Sequence, residues 1–541
     1  MEQPTDPALS IDAMLERING MAAGTVSQNP APPAAQTPQV VMPPMPEPPA
    51  ANPPVAAAPI AGAPAAAAQP VAPPQPQVAP PAAEGVDPRA IQDSRPALPA
   101  GQRAPQISEH ETTEEDRSKA DTNTFMPKEP ASFQEAGISA ASVEELVCKF
   151  LLARGEASIR DISDQVCLPF NLVDEIVVKL KAEQVLGYID QAAMNDYICR
   201  LTEMGRDRAQ KYSTLCSYFG SAPVNFKDYV ASVTAQTIND QNPTEEDLER
   251  AFSDLLIDPQ LMVKLGPAVN SGKGMFLFGF PGNGKTSIAE RITAAFGPYI
   301  WMPRAIAMDR DIVRLFDPMN HEEAPLEENN SFLSDVSYDK RWVRIKRPTI
   351  VVGGELTMEH LEIQYNPQTG ISEAPVQMKS NTGLLLIDDF GRQRMSVDEL
   401  LNRWIVPLEK RYDFLNTSNG KKIRVPFDQL VVFSTNLEPK DLVDDAFLRR
   451  IPYKIEVENP SIENFVKLFE IMCKIYKFEW KPELIKYLIE THYLPTDRPL
   501  RNCHPRDLLL QVTNYCKYLK LEKELTKESL DFACENYFSI M

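Results

Sequence analysis

An α/β fold built on an open parallel sheet is the class this chain predicts, and three stretches predict it. Gly274–Phe296 (GMFLFGFPGNGKTSIAERITAAF) runs from an apolar strand through a Gly/Pro loop into a helix. Asn381–Phe390 (NTGLLLIDDF) is an apolar run ending in paired carboxylates. Leu430–Asn436 (LVVFSTN) is a third apolar run, ending in polar residues. Strands buried on both faces of a parallel sheet read as continuous apolar runs. Ligands bind at the carboxyl ends of such strands, where the polar residues fall here.

The first stretch fits G-x-x-x-x-G-K-[ST] in its strand–loop–helix setting. Gly279, Pro281, Gly282, Asn283 and Gly284 form the loop, and Lys285, Thr286 and Ser287 open the helix. Glycines let the backbone turn its N–H groups toward phosphate oxygens, and a helix N-terminus adds partial positive charge. The loop is therefore the candidate ATP site, with Lys285 for the β- and γ-phosphates and Thr286 for Mg²⁺. About a hundred residues on, Asp388 would share the Mg²⁺ and Asp389 would orient the attacking water. Asn436 would hold that water or the γ-phosphate from the next strand. Arg449 and Arg450 end a helix ahead of an apolar strand, Tyr453–Val457, where a guanidinium could reach a neighbouring subunit's phosphate. Arg506 follows a helix-opening Pro505 and could reach back over the phosphates.

In chain order, Met1–Gly20 carries a short amphipathic pattern with Ile11, Met14, Leu15 and Ile18 on one face. The next hundred residues hold 23 of the 49 prolines of this 541-residue chain. Rich in Pro and Ala, they cannot bury enough apolar surface to offset ordering, so residues 1–136 read as a disordered tether. The formal charge of −20 and pI near 4.9 argue against bulk attraction to nucleic acid. Eight cysteines without C-x-x-C spacing exclude a zinc ribbon and suggest a reducing compartment. An acidic start and the lack of a long apolar run predict no signal peptide, no membrane insertion and a cytoplasmic location.

Order is expected from residue 137. A helix capped by Ser142, a short helix at Ser158–Ser163, a third at Pro169–Gln184, a strand pair and a closing helix at Thr202 resemble a winged helix. The ending YICRLTEMGRDRA is similar to that family's. Its third helix has a mixed face, and residues 142–212 hold 12 acidic against 9 basic residues. DNA binding needs net phosphate neutralisation, so a protein-docking unit is expected over 137–215. Residues 216–247 form a linker whose Tyr218, Phe219, Phe226 and Tyr229 call for a packing surface. Pro243 to Leu256 reads as a helix.

Phosphate loop, Asp-Asp strand end, Ser-Thr-Asn strand end, Arg-Arg before a strand and helix-opening Arg resemble, in this order, the AAA+ ATPases, bacterial members with a winged-helix-like front unit among them. The resemblance covers Leu248–Met541. It implies a nucleotide domain over 248–459, a helical lid over 460–541 and a ring of subunits, usually six, with ATP between neighbours. It also makes Asp388-Asp389 the Walker B pair, Asn436 sensor 1, Arg449 or Arg450 the arginine finger and Arg506 sensor 2. Most members have Asp-Glu where this chain has Asp388-Asp389, which puts fast turnover in question. Between a second strand at Tyr299–Met302 and Asp388, strand pairs are expected at Trp342–Val352 and Leu361–Lys379, the latter turning at Asn366–Gly370. A hairpin turning at Asn419-Gly420 carries Lys421, Lys422 and Arg424; MoxR-like AAA+ proteins have a similar one. Such insertions either grip a client in the pore, with Tyr365 the first aromatic to test, or pack between subunits. Phe465, Leu468, Ile471 and Met472 space as one core-facing helix stripe.

These features predict an ATP-hydrolysing, chaperone-like ring that remodels a protein partner bound through the front unit and the N-terminal tail. A DNA-associated ATPase of the helicase-loader or initiator kind ranks second. A nucleotide-gated scaffold with slow turnover ranks third.

Overall fold

The computed structural model describes residues 125–193, 196–326 and 337–539. The N-terminal amphipathic pattern and the Pro/Ala-rich stretch lie outside the described residues.

The front unit begins with α1 (Ala140–Arg154). Its N-cap is Ser139, whose hydroxyl accepts from the Ser142 amide, so the helix starts earlier than expected. There follow β1 (Glu156–Ser158), α2 (Ile159–Val166), α3 (Phe170–Ala182), β2 (Leu186–Ala192), β3 (Asp196–Leu201) and α4 (Glu203–Leu215). Ser158 and Asp161 close a reciprocal capping box on α2. The sheet order is β1-β3-β2, antiparallel throughout, so a short third strand joins the expected pair. Val143, Val147, Ile162, Val173, Ile176 and Leu180 fill the core. Gly205 has a steric reason: a Cβ there would stand 1.9 Å from the Val185 carbonyl oxygen.

The linker packs through Tyr218, Phe226 and Tyr229, whereas Phe219 is exposed. Its β4 (Val224–Asn225) leads into α5 (Phe226–Ala235), whose Tyr229 hydroxyl accepts from Asn381 Nδ2 at 2.8 Å. The helix expected from Pro243 to Leu256 is shorter: α6 (Glu245–Ala251) starts at its Thr244 cap, and a second helix, α7 (Pro259–Asn270), follows.

The central element is a five-stranded parallel sheet. β5 (Met275–Phe278) enters the phosphate loop and α8 (Lys285–Ile292) leaves it. β6 (Tyr299–Pro303), expected as the second strand of this sheet, is not part of it. With β7 (Ala305–Met308) and β8 (Asp311–Arg314) it opens an insertion. β6 pairs antiparallel with β9 (Trp342–Lys346), while β10 (Thr349–Val352) forms the edge of the parallel sheet. The strand pair expected within Trp342–Val352 does not form: its two strands take different partners, with Pro348, which cannot donate a ladder bond, between them. The hairpin β11 (Gln364–Asn366) and β12 (Ile371–Glu373) turns as expected and joins β8, β7 and β4 in a second sheet. After α9 (Val376–Lys379) come β13 (Leu384–Ile387), α10 (Val397–Lys410), the hairpin β14 (Tyr412–Asn416) and β15 (Lys422–Pro426), β16 (Leu430–Thr435), α11 (Pro439–Leu442), α12 (Asp445–Leu448) and β17 (Tyr453–Glu456). The parallel order is β10-β13-β16-β5-β17. β13, β16 and β5 are interior, so the two carboxylates, the polar strand end and the phosphate loop come from adjacent strands.

Four helices close the chain: α13 (Ile462–Tyr476), α14 (Pro482–Leu488), α15 (His504–Leu519) and α16 (Lys527–Phe538). The buried stripe of α13 is Phe465, Val466, Phe469 and Cys473. Of the four residues expected there only Phe465 belongs to it; Ile471 is exposed. No helix among the described residues is long and apolar enough to cross a membrane.

Candidate functional site

A cleft of about 780 Å³ lies between the sheet's carboxyl edge and the C-terminal helices. That is within the usual range for small-molecule sites. Pro281 to Ser287 line one wall, with Asp388, Asp389, Ser434 and Asn436 beside them. Gly282 and Gly284 have φ of +85° and +86°, conformations that turn successive amides inward as an anion-binding nest. Gly279, at φ +134°, does a different job: a Cβ there would stand 2.5 Å from the Val457 carbonyl oxygen, so it lets the loop cross the end of β17.

Lys285 is buried to 7 % exposure at the start of α8. Its three N–H donors meet the carbonyls of Gly279 (2.9 Å) and Phe280 (3.0 Å) and Asn436 Oδ1 (2.8 Å). Burial lowers its pKa, opposed by the charges of Asp388 and Asp389. Thr286 Oγ1 donates to Asp388 Oδ2 at 2.8 Å. Asn436 Nδ2 approaches Asp389 Oδ1 at 3.3 Å. Sequence-distant residues thus form one chain of contacts, Thr286–Asp388 and Lys285–Asn436–Asp389.

A phosphate-bound Mg²⁺ suits this donor set. Magnesium keeps several waters and takes one or two protein oxygens beside phosphates, which Thr286 and Asp388 supply from adjacent positions. Among the described residues there is no cluster of three or more metal-ligating side chains.

Arg506 lines the cleft at 60 % side-chain exposure, and its acidic partner among the described residues is its neighbour Asp507 at 2.9 Å. Arg449 and Arg450 are not among the cleft residues. Arg450 is bound within the chain, to Glu409 at 2.6 Å and the Ala446 carbonyl at 2.8 Å. Arg449 is exposed and borders a separate surface hollow with Asp445, Leu448, Pro452 and Lys454. Tyr365 is exposed on β11, in the second sheet.

Several cleft residues had no clear sequence signal. Leu468, read as core from its spacing, lines the cleft instead, and Met472 both packs on the helical core and borders the cleft. Asn283 is buried and faces the C-terminal part: its Nδ2 donates to Asn459 Oδ1 at 2.8 Å, and the Asn502 side chain donates to its carbonyl at 3.2 Å. The Cys503 amide donates to the Gly282 carbonyl at 2.9 Å. Gln393 Nε2 donates to the carbonyls of Asp388 (3.1 Å) and Asp389 (3.2 Å), bracing the turn after β13. The signal for the Asn502–Cys503 seam was its place just before Arg506.

The family model of a domain of unknown function, DUF8689, matches residues 461–536, the helical C-terminal part. No curated protein matches the chain. Solved structures similar to it include the RuvB Holliday junction branch migration motor of Thermotoga maritima, at 12% identity over 54% of this chain and 70% of that one, with a TM-score of 0.29. Two point variants of that RuvB are similar at 11% and 13% identity, covering 55% and 53% of this chain and 72% and 71% of theirs, with TM-scores of 0.30 and 0.32. Superpositions of that quality carry no weight here; the strand order and the cleft do.

Proposed function

We propose that this chain is an ATPase of the AAA+ kind that binds ATP with Mg²⁺ in the cleft and hydrolyses it. One observation carries the reading: Lys285, Thr286, Asp388, Asp389 and Asn436 meet at the ends of three adjacent parallel strands under a loop with two inward-turning glycines. In it, Lys285 leaves its carbonyl partners for phosphate oxygens, which accept a charged donor more strongly. Thr286 and Asp388 hold the Mg²⁺, which neutralises phosphate charge. Asp389 orients the attacking water with Asn436, and Arg506 covers the phosphates from the lid. Residues 248–459 are the nucleotide domain and 460–541 the lid.

Arg449 completes the site of a neighbouring copy in a ring. It is the arginine of the pair without an acidic partner among the described residues. The front unit over 137–215, carried by the 216–247 linker, docks a protein. On and beside α3, Lys179 and Arg208 are tied to Glu144 and Glu183. Those cations are engaged within the unit, which disfavours a phosphate backbone there.

Steady-state ATPase assays across protein concentration test this. Turnover should rise with concentration, vanish in Lys285→Ala, and fall roughly a thousandfold in Arg449→Ala, the scale of a trans arginine. Turnover that ignores both substitutions would overturn the reading. ATP binding without turnover would favour the scaffold role. A nucleic-acid partner is favoured by one separate observation, the outer face of the β14–β15 hairpin.

A further inference from the structure

The β14–β15 hairpin alternates cleanly. Leu415 and Val425 are buried beneath it, and Asp413 is buried with them, held by Arg403. The outer face carries the cross-strand pairs Tyr412–Pro426, Phe414–Arg424 and Asn416–Lys422. Two aromatic rings and two cations therefore share one side of a two-stranded ribbon, and no carboxylate stands among these outer positions. The Arg424 guanidinium lies 3.9 Å over the Tyr412 ring, and Lys422 Nζ lies 5.5 Å over the Phe414 ring. The rings are 5.3 Å apart and nearly perpendicular, and Phe414 is 39 % exposed. Neither Lys422 nor Arg424 forms an ion pair with a described residue.

The hairpin's tip is engaged elsewhere. The Ser418 amide and hydroxyl donate to Asp311, Asn419 Nδ2 donates to Asp309 at 2.7 Å, and Lys421 pairs with Asp309 at 2.8 Å. The turn is thus fastened to the β7–β8 turn, which leaves the flat face as the contact surface.

We propose that this face binds single-stranded nucleic acid, with bases stacking on Phe414 and on the Arg424–Tyr412 pair, and phosphates meeting Lys422 and Arg424. Stacking platforms flanked by cations are the recognition chemistry for single strands. An acidic peptide would use the cations and leave the rings without a purpose. In a chain of net charge −20, a polyanion needs a local face free of acids, and this hairpin supplies one. The proposal does not depend on ATP turnover.

The test is fluorescence anisotropy of labelled oligo(dT) with the full chain, without nucleotide, over a salt series. Wild type and Lys285→Ala should bind alike. Phe414→Leu, which keeps bulk but loses the aromatic face, should weaken binding about tenfold. Lys422→Gln with Arg424→Gln should lower the slope of log affinity against log salt by about 1.4, two phosphate contacts on a single strand. Thermal melts identify any variant that does not fold. Photocrosslinking of an iodouracil oligonucleotide to the wild-type chain needs no variant and should label Tyr412 or Phe414. Absent binding at low salt, unchanged binding in the variants, or crosslinks elsewhere would overturn the proposal. So would poly-glutamate competing as well as unlabelled oligo(dT), which would make the partner an acidic protein. If Lys285→Ala abolishes turnover and keeps oligonucleotide binding, the two functions are separate; loss of either one leaves the other standing.

Discussion

Asp389 is where the chain departs from the Asp-Glu pattern of the ATPases its sequence resembles, and its geometry makes the departure testable. The residue sits at φ +48°, a left-handed conformation that Asp tolerates better than most, so the chain leaves the sheet one residue after Asp388. Its own amide donates to Asp388 Oδ1 at 3.0 Å, and its carboxylate ends 3.3 Å from the Asn436 amide group. An aspartate reaches one methylene less far than a glutamate, and here Asn436 stands at the end of that reach. Asp389→Asn keeps the size and removes the charge that would orient water. It should cut turnover between about a hundredfold and ten-thousandfold while ATP affinity, measured by calorimetry, stays within a few-fold. A variant that turns over at the wild-type rate would reduce Asp389 to a cap on the strand end.

A buried ion pair within the insertion holds the residue just ahead of the front unit, and that contact decides how the element behaves. Arg341 and Asp339 pair bidentately, at 3 % and 4 % side-chain exposure, and Arg341 Nη1 donates to the Ala136 carbonyl at 2.7 Å. Removing one partner strands the other charge away from water. Asp339→Ala should therefore cost about 3–5 kcal/mol in denaturant unfolding. Asp339→Leu with Arg341→Met should cost less, because neither charge remains. On the C-terminal helices, His504 opens α15 beside the Cys503 seam, and its Nδ1 meets the Tyr493 hydroxyl at 3.0 Å. Burial, and after it the Arg501 charge, pull its pKa from 6.5 to about 4. Between those values the unfolded chain binds a proton that the folded chain refuses, so stability is present above pH 6.5 and declines as pH falls toward 4. Melting temperature followed over that interval should drop more steeply in wild type than in His504→Gln. The same elements show what could be read in advance. The phosphate loop, the Asp-Asp strand end and the Asn436 strand end were legible because each is a contiguous run with its polar residues at one end. The partner of β6 was not, since strand pairing is non-local. Leu468 was misplaced because helical spacing looks the same whether a face meets core or a cleft.

At the scale of the whole molecule, the cleft and the arginine that would serve it lie on different surfaces of one chain. Lys285 is enclosed beneath the loop, whereas Arg449 stands exposed beside Lys454 and Pro452, outside the cleft lining. If turnover needs both, the working unit is the contact between two copies, and the contact is head-to-tail: one copy gives the cleft, the next gives the arginine. Two inactive variants then have complementary faults. A Lys285→Ala chain keeps its Arg449, and an Arg449→Ala chain keeps its Lys285. Mixed in equal amounts and allowed to exchange, about a quarter of the contacts in a randomly assembled ring place an intact cleft against an intact arginine. Turnover should reappear on mixing, up to about a quarter of the wild-type rate when contacts act independently, against about a thousandth or less for either variant alone. A ring whose subunits fire in concert would give less, because one defective contact would silence its neighbours. Mixtures as inactive as their components, with exchange of subunits verified by native mass spectrometry, would leave Arg449 without a role in a neighbour's site. Arg506, already in the cleft of its own chain, would then be the arginine to change next.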